Sequence, residues 1–93
     1  MKEVMEMKKE LKVVFRKFDD GEVIAMFPQF GNKRNWKIDS YMHIGQHGEC
    51  DPMITNITKL ATESEYESLL KEIQSIYHEY DIRVMKKLHI EWN

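Results

Sequence analysis

Only one stretch of this 93-residue chain repeats its apolar residues at helical spacing. Between residues 62 and 80 they recur every three or four positions, which predicts a single amphipathic helix. Its stripe consists of Tyr66, Leu69, Leu70, Ile73, Ile76, Tyr77 and Tyr80. Thr62 and Glu65 form the T-x-x-E pattern of a capping box at its start. A helix of about eighteen residues is about 27 Å long, so we expect it to cover one face of a small sheet and leave the other face open.

The segments before this helix have the composition of strands. β-branched and aromatic residues fill LKVVFRKF (11–18) and EVIAMF (22–27), and the DDG between them predicts a hairpin with a two-residue Asp20-Gly21 turn. That turn would place Phe15 opposite Met26, and Pro28 should end the second strand. One face would then carry Leu11, Val13, Phe15, Ile24 and Met26, and the other Val14, Arg16, Phe18, Val23, Ala25 and Phe27.

The remaining segments complete an α+β pattern. Residues 29–37 are interpreted as a basic loop, and the alternation of Ile38, Met42 and Ile44 with polar residues predicts a third strand. A short fourth strand is expected within 53–60, and a last strand carries Ile82, Val84, Leu88, Ile90 and Trp92 at a period of two. The order β-β-β-(β)-α-β predicts a mostly antiparallel sheet of four or five strands with one long helix on one face. We expect residues 1–10 to form a flexible or short helical lead-in and 11–93 a single domain.

Charge and cysteine content narrow the classes of function. The formal net charge of -2 argues against a protein that coats nucleic acid by charge alone. Cys50 is the single cysteine, so no internal disulfide can form, and a reducing cytoplasm is the expected location. No signal peptide and no apolar run long enough to span a bilayer is present, so we expect no membrane association.

Three blocks of the sequence carry a resemblance. They are VVFRKFDDGEVIAMFPQF, SYMHIGQHGECDP, and ESEYESLLKEI followed by YDIRVMKKL. In this order they resemble a group of short, uncharacterised bacterial proteins that also occur in phages and mobile elements, over most of residues 11–88. The resemblance implies a cytoplasmic accessory protein that works by binding host machinery, such as nucleic-acid-processing or defence proteins. It implies no catalytic residue.

The segment SYMHIGQHGECDP (40–52) concentrates chemically active side chains. His43, His47, Cys50 and Asp51 are all competent zinc ligands, and a cysteine beside histidines can also act as a nucleophile. Their spacing matches no familiar zinc finger, and the glycines have neither the P-loop nor the dinucleotide-binding spacing. One hypothesis is therefore a small metal-binding domain or hydrolase, and the other is a polar, glycine-shaped turn that leaves a strand. We expect no cofactor, with zinc as the alternative.

A second group of side chains allows weak binding of single-stranded nucleic acid. Trp36 lies among the cations Lys33, Arg34 and Lys37, and an aromatic ring among cations is the ingredient of a base-stacking surface. The competing interpretation is a solvated loop, which the acidic net charge favours.

The leading hypothesis is a non-enzymatic module that binds a protein partner. Glu65, Glu72 and Glu79 recur every seven residues along one flank of the helix. One interpretation is a solvated helix face, the usual position of helical glutamates, and the other is an acidic surface for a basic partner. The open sheet face would present Val14, Phe18 and Phe27 around Arg16. Apolar residues exposed in this way mark association surfaces, so we expect a homodimer through this face. The alternative is that residues 1–10 fold back over it.

Overall fold

The computed structural model of the protein describes residues 9–93. Its strands are β1 (Lys9–Lys17), β2 (Val23–Asn32), β3 (Lys37–Met42), β4 (Gln46–Cys50), β5 (Lys59–Leu60) and β6 (Tyr80–Met85). A 3-10 turn (Pro52–Asn56) precedes β5, and one helix, α1 (Glu63–Ile76), lies between β5 and β6. Lys9 and Glu10 already belong to β1, and the rest of the predicted lead-in lies outside the described residues.

The strands form one sheet in the order β4-β3-β2-β1, with both β5 and β6 on the far side of β1. β6 runs parallel to β1 between Lys9 and Val14, and β5 pairs antiparallel with the end of β1 at Arg16 and Lys17. All other pairings are antiparallel, so the predicted α+β class is confirmed. The predicted fourth strand within 53–60 is only the two-residue β5. A longer fourth strand, β4, lies where the sequence predicts a polar turn.

The predicted register of the β1–β2 hairpin is wrong by one residue. Phe15 pairs with Ala25 rather than with Met26. The loop has three residues, Asp19 to Gly21, because the Phe18 carbonyl accepts from the Gly21 N–H at 2.9 Å and the Phe18 N–H donates to Glu22 at 2.8 Å. Gly21 has a φ of +93°, as the residue that closes such a loop requires. A one-residue slip moves every side chain of β2 to the other face.

Pro28 does not end β2 as predicted. The strand continues to Asn32 through an irregularity in its pairing with β3 between Met26 and Gly31, so residues 29–32 are strand rather than loop. The Gln29 side chain bonds to the edge of β1, accepting from the Lys12 N–H at 2.6 Å and donating to the Glu10 carbonyl at 3.1 Å. The side-chain amide of Gln29 therefore satisfies backbone hydrogen-bonding groups of β1 beside the irregularity in β2.

The helix covers the face predicted for it, although it is shorter than expected. α1 has 14 residues, and Tyr77 and Tyr80 follow its end instead of extending its stripe. Glu65 accepts a hydrogen bond from the Thr62 N–H at 2.8 Å, which confirms the capping interaction. The buried cluster under the helix contains Leu11, Val13, Phe15, Val23, Ala25, Phe27, Tyr41, Ala61, Leu69 and Ile73. Leu11, Val13 and Phe15 lie there as predicted, and Ile24 and Met26 do not.

The opposite face is not open, contrary to the prediction. Ile24, Met26 and Ile38 are buried there under the C-terminal segment (residues 88–93) and Ile54 of the 3-10 turn. The C-terminal segment leaves β6 after Met85 and hydrogen-bonds to β2: Glu91 donates to the Pro28 carbonyl at 2.7 Å. Leu88, Ile90 and Trp92 therefore do not continue the last strand, but pack on this second cluster.

This covering removes the predicted association surface. Val14 is 1% exposed, and Phe27 is 3% exposed and lies under the helix. Phe18 is half-buried at the edge of the second cluster. Arg16 donates to the carbonyls of Thr55 and Thr58 and so fixes the chain around the 3-10 turn. A homodimer through these residues would first require the segments that cover them to move away. The predicted fold-back of residues 1–10 lies mostly outside the described residues.

Candidate functional site

The four predicted zinc ligands do not converge on one point. Side chains alternate between the faces of a strand, and β4 places His47 toward the helix, where its ring lies 4.7 Å from that of Tyr41. Cys50 packs on the opposite face with the second cluster. Asp51 caps the 3-10 turn by accepting from the Met53 N–H at 2.9 Å. Within residues 9–93 no group of three or more His, Cys, Asp and Glu side chains is placed to hold a metal ion.

The environment of Cys50 also opposes a nucleophilic role. Burial raises the pKa of its thiol to about 11, although a hydrogen bond with Ser40 partly offsets this effect. Since the thiolate is the reactive form, a raised pKa makes the thiol less reactive at neutral pH.

A polar network links the β3–β4 turn to the helix. Glu72 accepts a hydrogen bond from the Tyr41 hydroxyl and contacts Nδ1 of His43 through its second oxygen at 2.6 Å. The Tyr41 hydroxyl accepts from the Gly45 N–H at 2.9 Å. The hydrogen bond from Tyr41 and the contact with His43 hold the pKa of Glu72 below its ordinary value. Glu72 thus fixes the turn between β3 and β4 to the helix rather than facing a partner.

Ser68 completes a line of three side chains. Its hydroxyl lies 3.3 Å from Nε2 of His43, whose Nδ1 contacts Glu72. This is the order of nucleophile, base and orienting carboxylate found in serine hydrolases. Sequence reasoning missed it because Ser68 and Glu72 are 25 and 29 residues from His43. The sequence signal that could have identified Glu72 was the seven-residue period of the glutamates. This period places them beside the buried stripe of the helix rather than on its solvent-facing side.

The other two glutamates of the predicted acidic surface have different positions. Glu65 pairs with Lys17 at the end of β1, and this pair, together with the Thr62 N–H, lowers its pKa to about 2. Glu79 is exposed after the end of α1. Two of the three predicted contact residues are therefore bound within the chain, and only Glu79 is free of such contacts within the described residues.

A cavity of about 330 Å³ opens on the helix side of the sheet, next to the polar network. Its buried floor includes Leu11 and Phe27, and its walls include the rings of Phe30, Tyr77 and Tyr80. Phe27 and Tyr77 lie edge to face with 5.9 Å between ring centres, and Tyr77 and Tyr80 do so at 6.0 Å. Aromatic rings in contact form rigid walls.

Asp39 supplies the carboxylate of this cavity. It lies directly across from Glu49 in the β3–β4 pair and lines the cavity together with His47. Although Asp39 is exposed, partial desolvation and, second, the charge of Glu49 raise its pKa, while His47 opposes this shift. Within residues 9–93 the Asp39 side chain has no hydrogen bond and no ion pair, whereas Glu49 accepts a hydrogen bond from Asn35 at 3.0 Å. Sequence reasoning did not single out Asp39, because only the pairing of β3 with β4 brings it beside Glu49.

The predicted nucleic-acid residues are brought together in the turn between β2 and β3. Lys33, Arg34, Trp36 and Lys37 are all exposed. Trp36 has a φ of 57° and remains 59% exposed although its ring meets Trp92 edge to face at 5.0 Å. Much of Trp36 is thus exposed in the same segment as these cations, and nucleic-acid binding stays a prediction.

Comparisons with known proteins add no assignment: no family model, no curated protein and no solved structure matches this chain. The resemblance of the three sequence blocks therefore stays a prediction. In the described residues no helix has both the length and the apolar character needed to cross a membrane.

Proposed function

We propose that this chain is a non-enzymatic module that binds a basic segment of a partner protein through the helix side of β3 and β4. One observation carries the proposal: Asp39 and Glu49 are like charges directly opposite each other on neighbouring strands. Such a pair destabilises a sheet, and no ion pair with Lys or Arg compensates it within residues 9–93. A cation from a partner would relieve the repulsion.

The rest of the surface agrees with this choice of partner. Glu79 and Asp81 are also exposed, and they flank Tyr80 of the cavity wall in the sequence. Acidic surfaces steer basic partners and raise their association rate. Binding of a host protein would fit the accessory role that the resemblance to phage and mobile-element proteins implies.

The experiment is a selection from an unbiased peptide array probed with the full chain. We expect the bound peptides to be enriched in Arg and Lys, and their binding to weaken with salt. The double variant Asp39→Asn/Glu49→Gln should lose them. The matched control Glu63→Gln/Glu67→Gln removes the same charge from the exposed face of α1 and should keep them. Selection of peptides without basic residues, or an equal loss in both double variants, would contradict the proposal.

A serine hydrolase is the second candidate, favoured by the line of Ser68, His43 and Glu72. Ser68 lies inside α1, where its backbone N–H is used by the helix, and the cavity beside His43 is lined by Glu65 and Gln46 but not by Ser68. Stabilisation of an oxyanion is usually the largest catalytic contribution, and this position offers no free backbone donor of α1 for it. Ester hydrolysis that disappears in Ser68→Ala and His43→Gln would reverse the ranking.

A further inference from the structure

The aromatic cavity beside Asp39 is chemically distinct from an ordinary acidic surface. Tyr77 and Tyr80 meet edge to face, and both rings line the same space as the Asp39 carboxylate. The volume of about 330 Å³ is at the small end of ligand sites, which begin at about 300 Å³. The cavity therefore suits a single side chain rather than a large cofactor.

The lining residues select the chemistry of that side chain. The faces of aromatic rings attract cations, and the attraction grows where water is excluded. Among residues 9–93 the lining includes one carboxylate, Asp39, one imidazole, His47, and no lysine or arginine. Lys37 lies two positions before Asp39 in β3, yet the two form no ion pair in the described structure. The site is thus complementary to a cation that carries an apolar stem.

We infer that this cavity binds one arginine side chain of the partner, with the guanidinium beside Asp39 and the methylene stem against Tyr77 and Tyr80. The inference rests on the proposed function, since it names the group by which the basic partner is recognised. Arginine fits better than lysine because its planar guanidinium can bind a carboxylate through two parallel hydrogen bonds. Its stem can pack along apolar walls while the charge stays at the rim.

The surroundings of Asp39 disfavour its charge. Partial desolvation and the neighbouring Glu49 raise the pKa of its carboxyl, so the ionised form is less favourable in the folded protein than in the unfolded chain. Asp39→Asn removes that charge at nearly constant shape, and we expect its melting temperature to equal or exceed that of the parent. Loss of binding in this variant would therefore not reflect unfolding.

The test is an NMR titration of the full chain with N-acetyl-L-arginine methylamide, compared with the citrulline analogue, which has the same shape and no charge. We expect saturable shifts at Asp39, Tyr77 and Tyr80 with the arginine probe only. Asp39→Asn should weaken the binding at least about tenfold, the loss expected for a charged hydrogen-bond partner. The control Glu67→Gln, which removes an exposed carboxylate of α1, should leave it unchanged.

The outcomes separate this inference from the proposed function. An equal response to citrulline, shifts spread over all carboxylates, or no saturable shift up to the solubility of the probe would overturn the arginine site. If basic peptides are nevertheless selected on the array, the module still binds a basic partner, but by another group. If the arginine probe binds and the array selects no basic peptides, the cavity does bind arginine, but the proposal of a basic protein partner is wrong.

Discussion

One face of the sheet is covered by α1, and the other by the C-terminal segment with the 3-10 turn. Under the helix, an apolar core around Leu69 and Ile73 adjoins the polar network of Tyr41, His43 and Glu72. The opposite face is a small apolar cluster whose cover is held by backbone hydrogen bonds to β2 and by Arg16. The cavity and its carboxylate, Asp39, lie on the helix side.

The difference between the faces reflects how each cover is specified. The sequence of the helix itself contains the helical period of apolar residues, the cap and the apolar stripe. These local features determine which side of the helix packs on the sheet. The C-terminal segment depends on a feature of another strand, because it docks where Gly31 of β2 lacks a side chain. Under the proposed function, the second face serves stability and the helix side, where Asp39 lies, serves binding.

The largest effect is expected under the helix. Leu69 is 0% exposed, and Leu69→Ala should lower the free energy of unfolding by about 2–5 kcal/mol because it leaves a cavity against the sheet. Chemical denaturation followed by circular dichroism measures this change. Ile76→Ala is the control, since Ile76 is exposed at the end of α1, and it should change the stability by less than about 0.5 kcal/mol. Equal effects of the two substitutions would mean that the buried side of the helix is assigned wrongly.

The opposite face should respond to a single added methyl group. A Cβ at Gly31 would lie 2.7 Å from side-chain atoms of Ile90 and Trp92 and 2.9 Å from the Glu91 carbonyl. Gly31→Ala should therefore displace the C-terminal segment and cost about 1–3 kcal/mol. The tryptophan fluorescence of the chain reports the displacement, because its two tryptophans, Trp36 and Trp92, are in contact.

Gly48→Ala is the matched control, because a Cβ there meets nothing within 4 Å. It should leave both the stability and the fluorescence close to those of the parent. If Gly31→Ala behaves like Gly48→Ala, the C-terminal segment does not cover the second face.

Acid should weaken the helix side through Glu65. Because Lys17 and the Thr62 N–H hold the pKa of Glu65 at about 2 instead of 4.5, the folded protein binds fewer protons than the unfolded chain between these values. Its contribution to stability is present above about pH 4.5 and is lost as the pH falls toward about 2. Denaturation curves over this range should have a flatter pH dependence in Glu65→Gln. Glu67→Gln, on the exposed face of α1, should keep the slope of the parent, and an unchanged slope in Glu65→Gln would contradict the assigned pair.

Removal of metal should have no effect. The predicted ligands are divided between the faces, with His47 toward the helix and Cys50 in the opposite cluster. We expect less than stoichiometric zinc by elemental analysis and an unchanged melting temperature with chelator. One equivalent of zinc that is lost in His47→Ala would show that the two sides rearrange around a metal ion.

Local sequence patterns were sufficient to predict the helix and the face of β1 that packs against it. The stripe around Leu69 and the Thr62–Glu65 cap are properties of short segments, and they are confirmed. The hairpin register depends on whether the loop has two or three residues, and Asp20-Gly21 is compatible with both. This difference of one residue in loop length decides which face of β2 packs against the helix.

The candidate site depends on contacts that no local pattern carries. Asp39 meets Glu49 only because β3 and β4 pair, and β4 follows Gly45, contains Gly48 and has no β-branched residue. The C-terminal segment continues a period of two, which is typical of a strand, yet its partner is the distorted part of β2. The glutamate period did place Glu65 and Glu72 on one flank, but their partners Lys17 and His43 could be identified only in three dimensions.

The most direct test of the binding side is an NMR footprint of the tightest basic peptide from the array on the full chain. The account predicts that the shifted amides belong to Asp39, Glu49, Tyr77, Tyr80 and their immediate neighbours, and that the C-terminal segment and the 3-10 turn stay unshifted. A footprint centred on the C-terminal segment and the 3-10 turn would place the binding surface on the other side of the sheet and contradict the account.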